Sequence, residues 1–200
     1  MEAEHFPDDV LELQAYLGDE SLVPSVKATP GAGTHVPLYI LGSSTFGAQL
    51  AAHLGLPYAF ASHFAPAALE DAVAIYRRKF KPSKQLEKPH VIAGVNVLAA
   101  DDRATAEADA KKVWLLRVKA LIGRGQKWSD AQAEAVLESP AGQSLKEMGR
   151  YSAIGTAKEV REYLEGFAKR SGADELMTVH AAQTLEGRLR SVELLADAWK

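Results

Sequence analysis

The sequence contains no cysteine among its 200 residues. That excludes a disulfide framework, a thiolate metal site and a cysteine nucleophile, and it fits a reducing compartment, so a cytoplasmic location is expected. A surplus of one charge is lacking too: 23 basic against 26 acidic residues leave a formal net charge of −3, dispersed along the chain. With no basic stripe to track a phosphate backbone, nucleic acid is not an expected partner. No apolar run approaches the roughly 18 residues of a membrane span, and the opening residues Met1-Glu2-Ala3-Glu4-His5-Phe6 are acidic where a signal peptide is basic and then apolar. No membrane partner is expected. His5, His35, His53 and His90 have neither H-x-x-x-H spacing nor neighbouring acids to organise an ion, so no metal site is predicted.

What the chain does have is alternation. At 47% apolar residues it can bury one sizeable core, and one domain over residues 1–200 is expected. Residues 7–17 carry Val10, Leu11, Leu13 and Leu17 at helical spacing, with Asp8 and Asp9 at the start and Gly18 beyond the end. Residues 21–34, with Pro24, Pro30, Gly31 and Gly33, read as a loop. A short apolar run at 36–41 then leads into an alanine- and leucine-rich stretch at 46–54, which reads as strand, turn, helix.

The unit repeats as strand 56–62 with helix 66–80, and again as strand 90–99 with a helix starting at Asp101-Asp102 and running through Trp114. The Thr156 to Glu159 spacing is that of a capping box, which predicts a helix over 157–170, a stop near Gly172, a strand over 175–179 and a last helix over 185–198. Continuous apolar strands alternating with helices indicate an α/β fold with a parallel sheet. Periodicity alone leaves two architectures open, a small open sheet or part of an eight-unit barrel.

The motifs decide between them. Val36-Pro37-Leu38-Tyr39-Ile40-Leu41-Gly42-Ser43-Ser44-Thr45-Phe46-Gly47, followed by Gly55-Leu56-Pro57-Tyr58-Ala59-Phe60-Ala61-Ser62-His63, resembles the fifth and sixth strands of the bacterial-luciferase-like, flavin-dependent monooxygenase family. Val95-Asn96-Val97-Leu98-Ala99-Ala100-Asp101 resembles its seventh strand. Ile154-Gly155-Thr156-Ala157-Lys158-Glu159 resembles the start of its penultimate helix, and residues 156–195 its eighth strand with flanking helices. The resemblance implies a (β/α)8 TIM-barrel type of which only the last four β/α units are present, a domain truncated at its N-terminus relative to the family. Half a barrel exposes strand edges and one face of its core, so a homo-oligomer or a complementing N-terminal half is an expected partner.

The resemblance further implies a monooxygenase that uses reduced FMN, supplied by a separate flavin reductase, and oxygen on a small-molecule organic substrate. A related branch uses a deazaflavin for hydride transfer, and a non-catalytic flavin-binding half-barrel or an inactive fragment are the other readings.

Gly42, Ser43, Ser44, Thr45 and Gly47 form a turn that leaves a strand and opens a helix. Such a turn aims backbone N–H groups and the positive end of a helix dipole at one point, which suits the terminal phosphate of FMN. On the residues alone, a plain helix cap by serine and threonine is an equal reading. Ser62 and His63 sit at the C-terminal end of the next strand, where barrel enzymes build their sites, and the resemblance turns this position toward the flavin. His63 could hydrogen-bond the ring or be a structural histidine; His180 ends the last strand and reads as structural. Glu107 to Asp109 reads as a solvated helix face. Residues 123–126 read as a surface turn, although the resemblance puts a mobile loop there.

Overall fold

A computed structural model describes residues 5–200; the acidic residues 1–4 of the opening segment lie outside the described residues. Eight helices and five strands follow in the order α1 (Phe6–Leu17), β1 (Ile40–Gly42), α2 (Thr45–Leu54), β2 (Tyr58–Phe60), α3 (Leu69–Lys79), β3 (Val91–Ala99), α4 (Arg103–Leu121), α5 (Asp130–Leu137), α6 (Pro140–Met148), β4 (Ser152–Gly155), α7 (Ala157–Ser171), β5 (Glu175–His180) and α8 (Leu185–Ala198). Every strand pair is parallel. β1 pairs with β2, and β2 with the first part of β3. β5 runs along the other edge of β3, opposite residues 92–97. The second part of β3, residues 96–99, pairs with β4 on the same edge as β2. The α/β class and the partial, barrel-like parallel sheet are as expected.

β4 and the helices α5 and α6 are additions to that expectation. Ile154 and Gly155, which resemble the start of the penultimate helix, close the strand β4 instead, and the helix begins one residue after the capping Thr156.

Two predicted strands are shorter than their apolar runs. Pro37 offers no N–H to a ladder, and the backbone of Leu38 is paired at both its N–H and its carbonyl by the side-chain amide of Gln85, at 3.1 and 2.8 Å. Regular pairing therefore starts at Ile40. β2 ends at Phe60 because the chain turns there, with Ser62 N–H donating to the Phe60 carbonyl at 2.9 Å.

The two-residue alternation of β3 separates the faces of the sheet. Val91, Ala93, Val95, Val97 and Ala99 join Ile40, Tyr58 and Phe60 in the main core, against Ala48, Ala51, Leu69, Val73, Tyr76, Val160, Leu164 and Phe167 of α2, α3 and α7. Ile92, Gly94, Asn96 and Leu98 point the other way. On that second face Leu98 packs against Ala110 of α4 near the strand's C-terminal end, and the excursion α4–α5–α6 closes a small core of its own from Leu115, Val118, Ala133, Leu137 and Leu145 with Trp114 and Trp128. Nearer β1 and β5 the face is bare: Leu41 is 71% exposed, Met177 56% and Tyr39 51%.

Candidate functional site

The turn between β1 and α2 is anchored from below. Gly42 closes the β1 ladder and its carbonyl accepts from Ala61 N–H at 2.9 Å, joining the ends of β1 and β2. The buried Tyr58 hydroxyl donates to the Ser44 carbonyl at 2.9 Å, and burial pushes this phenol well above the usual tyrosine range, so it stays a donor. Gly47 brings the first turn of α2 down on Tyr58 and Ile40.

Above that anchor the turn is unsatisfied. Ser44 occupies the N-cap with extended backbone, yet its side chain makes no capping bond, and the first turn of α2 holds no acidic residue. α4 to α8 are each capped by a side chain, from Asp102, Ser129, Ser139, Thr156 and Thr184, and α1 and α3 carry acids in their first turns. Among the described residues α2 is thus the helix that opens with neither. Its leading N–H groups and the positive end of its dipole, about half a unit charge, face outward uncompensated. Ser43 and Ser44 are exposed beside them.

Ser62 and His63 follow β2 at the same C-terminal edge of the sheet. Ser62 is fully buried and its hydroxyl donates to the Gly94 carbonyl at 2.6 Å, so it ties β2 to β3 and has no free face. His63 projects over β3 with its Nδ1 against Gly94, packs edge-to-face on Phe64 with centroids 4.8 Å apart, and lines a cleft of about 470 Å³ on the bare face with Tyr39, Leu41, Ala61, Ile92 and Met177. Burial first, and the Arg117 guanidinium second, hold its imidazole below the usual histidine value. The lining is apolar apart from a few polar groups, the composition of a small-molecule site.

His180 is on the other face. It shares the parity of Leu176 and Thr178, lies 2.7 Å from Ser191 Oγ, and is lowered by burial. Ser191 Oγ in turn accepts from Ala99 N–H at 3.0 Å, so this histidine fastens α8 to the sheet. A larger cleft of about 690 Å³ lies there, between α7, β5 and α8, lined chiefly by Leu164, Leu176, Val192, Leu195 and Trp199. It lies on the opposite face of β5 from the His63 cleft, and no residue lines both.

The family model for luciferase-like monooxygenases matches residues 12–175. The chain belongs to the luciferase-like monooxygenase family. A luciferase-like monooxygenase of Escherichia coli (strain K12) is 38% identical over 196 residues, covering 97% of this chain and 58% of that protein. The crystal structure of apo-MsnO8 superposes with a TM-score of 0.82 at 30% identity, covering 99% of this chain and 61% of that one. The coenzyme F420-dependent tetrahydromethanopterin reductase of Methanopyrus kandleri shares the fold, with a TM-score of 0.58 at 15% identity over 96% of this chain and 60% of that one. This luciferase-like chain therefore spans about 58% of the length of the curated relative it matches. Among the described residues no helix is long and apolar enough to cross a membrane.

Four residues around this candidate site are not singled out by the sequence: Tyr58 beneath the turn and Asn96 beside His63, which lie within the quoted motifs, and Gly94 beneath His63 and Arg117 beside it, which lie outside them. Asn96 Nδ2 donates to the His63 carbonyl at 2.6 Å, and Asn96 Oδ1 accepts from Arg117 Nη2 at 3.2 Å. The guanidinium sits 5.0 Å from the centre of the Trp114 ring. One signal was readable: Asn96 is the lone polar side chain in the nine-residue run of β3.

Proposed function

We propose that this chain carries the flavin-phosphate turn and one wall of the ring pocket of an FMN-dependent, luciferase-like monooxygenase acting on an organic substrate. The observation that carries this reading is the open start of α2, where a cap-competent serine leaves the helix uncapped. In this reading its first-turn N–H groups and the Ser43, Ser44 and Thr45 hydroxyls donate to a terminal phosphate, which supplies the matching acceptors and charge. Reduced flavin, when bound, supplies the electrons for oxygen chemistry, so no side-chain nucleophile is needed.

The chain's own residues bind and orient. Tyr58 holds the turn through the Ser44 carbonyl, Gly47 seats the helix, Ser62 sets the end of β2 on β3, and His63 presents a hydrogen-bonding edge to the apolar cleft. The exposed apolar side chains of the bare face, Tyr39, Leu41, Met177 and Val179, support a further proposal, that a second polypeptide or copy covers this face in the working assembly and completes the pocket. A flavin reductase would supply the reduced cofactor.

A deazaflavin-dependent hydride transfer is the second reading, favoured by the shared fold of the F420-dependent reductase. Titration with FMN, followed by flavin fluorescence, tests the first. Saturable binding is expected, weakened about tenfold or more in the Ser43→Ala/Ser44→Ala variant, since each lost charge-assisted bond is worth about 1.5–3 kcal/mol. No binding of FMN by the folded chain contradicts it, and binding of a deazaflavin in its place favours the second reading.

A further inference from the structure

The ring of His63 is seated in an unusual way. Its Nδ1 is fully buried with no hydrogen-bond partner, the one side-chain polar atom so placed among the described residues. A Cβ on residue 94 would lie 2.3 Å from that nitrogen, so the imidazole rests directly on the Cα of Gly94, where no other residue fits. His63 Nε2 is neither buried nor bonded, and the ring lines the cleft.

Only one protonation form suits this seat. An imidazolium, or the tautomer with hydrogen on Nδ1, would bury a donor with nothing to accept from it. A lone pair on Nδ1 meets the weakly polar Cα–H of Gly94 instead, which leaves the hydrogen on Nε2.

The surrounding charges act in the same direction. From α4, the half-buried Arg117 has no carboxylate within salt-bridge distance among the described residues, and is held by Asn96 Oδ1 and the face of Trp114. Its charge acts uncompensated on His63, whose own carbonyl is tied to the same Asn96. From β5, Glu175 lines the cleft, but its carboxylate is 3.2 Å from His90 at the far end of the strand. Tyr39 beside β1 contributes a phenol, and Phe64 beneath the ring is apolar.

We propose that His63 serves this site as a neutral hydrogen-bond donor through Nε2, and that Gly94 and Arg117 are the positioning residues that fix it in that form. The ligand group it meets is therefore an acceptor, a carbonyl oxygen or a ring nitrogen with a free lone pair, and His63 does not relay protons near neutral pH. The inference rests on the proposed function for what occupies the cleft, but its test needs no cofactor.

The test is long-range proton–nitrogen correlation NMR of the histidine-labelled chain across the acid-to-neutral range, with His63 assigned by the loss of its signals in His63→Gln. The Nε2–H pattern is expected, with a midpoint below the ordinary value of 6.5. Arg117→Gln should raise the midpoint by roughly half a pH unit or more, Arg117→Lys should leave it in place, and Gly94→Ala, which unseats the ring, should also raise it. If Arg117→Gln is poorly folded, Arg117→Met is the second neutral variant. An Nδ1–H pattern, or a midpoint at or above 6.5 in the unmutated chain, overturns the proposal, and equal midpoints with and without the charge remove Arg117 from it. Failure to bind FMN would sink the proposed function and leave these NMR results standing.

Discussion

α2 and α7 are two versions of one helix. Each follows a β-strand, each has a hydroxyl residue at its N-cap, and each ends on a left-handed glycine, Gly55 with φ 66° and Gly172 with φ 65°. They differ at the third position. In α7 that residue is Glu159, whose carboxylate accepts from the Thr156 N–H at 2.9 Å while the Thr156 hydroxyl accepts in return from the Glu159 N–H. Arg103 closes over the outside at 2.7 Å. In α2 it is Gly47, and the serine at the cap engages nothing. The same local geometry has been closed for stability in one place and left open in the other. An open helix start costs stability unless something binds it, which is why the contrast points to a ligand at α2 and to none at α7.

The contrast can be broken from either side. The largest effect is expected from Ser44→Asp, which supplies α2 with the cap it lacks and puts a carboxylate where the phosphate would sit. At a few ångströms that repulsion is worth about 3–4 kcal/mol, so FMN affinity should fall about 100-fold or more by titration. Melting temperature should hold or rise, because aspartate is a good cap. Loss of affinity together with loss of stability would mean that the turn had simply been damaged.

The reverse change, Thr156→Ala, should lower stability by about 1 kcal/mol, or about 2–4 °C in a thermal melt, and leave FMN binding unchanged. Reduced FMN affinity in that variant would show that the two helix starts are not separate in function.

The smallest effect is in pH dependence. The Thr156 backbone N–H first, and Arg103 with it, hold the Glu159 carboxylate down to about 2 from an ordinary 4.5. A depressed carboxylate contributes stability that is present above its unfolded value and lost as pH falls through the folded one. Denaturant melts should therefore weaken between pH 4.5 and about 2 in the native chain, and the slope should be shallower in Glu159→Gln. An unchanged slope would mean that the exposed pair is screened out.

The closed helix was legible in the sequence and the purpose of the open one was not. Thr156 and Glu159 announce a capping box by spacing alone, and β3 announces itself because nine consecutive residues are buried on both faces. Ser43-Ser44-Thr45 read equally as a cap and as a ligand turn, because the difference lies in which hydroxyls are engaged, and that depends on Tyr58 drawing the Ser44 carbonyl downward from fourteen positions away. The helix at Asp101-Asp102 reads from the sequence as far as Trp114, but its extension to Leu121 and the helices α5 and α6 were hidden for another reason. α4 is apolar on more than one side, with Ala110 turned to Leu98 of the sheet and Leu115 and Val118 to the satellite core, so it has no single stripe to read. β4 spans four residues, too few to show a period. Arg117 could be picked out only once α4 was seen lying across the end of β3, which brings the guanidinium to Asn96.

The central claim is that the α2 start recognises the phosphate itself. Parallel titration of the chain with FMN and with riboflavin, which lacks only the phosphate, addresses that most directly. FMN should bind about tenfold or more tighter than riboflavin, and the ratio should collapse toward one in the Ser43→Ala/Ser44→Ala variant. Equal affinity for the two compounds in the unmutated chain would show that the turn is a helix start and nothing more.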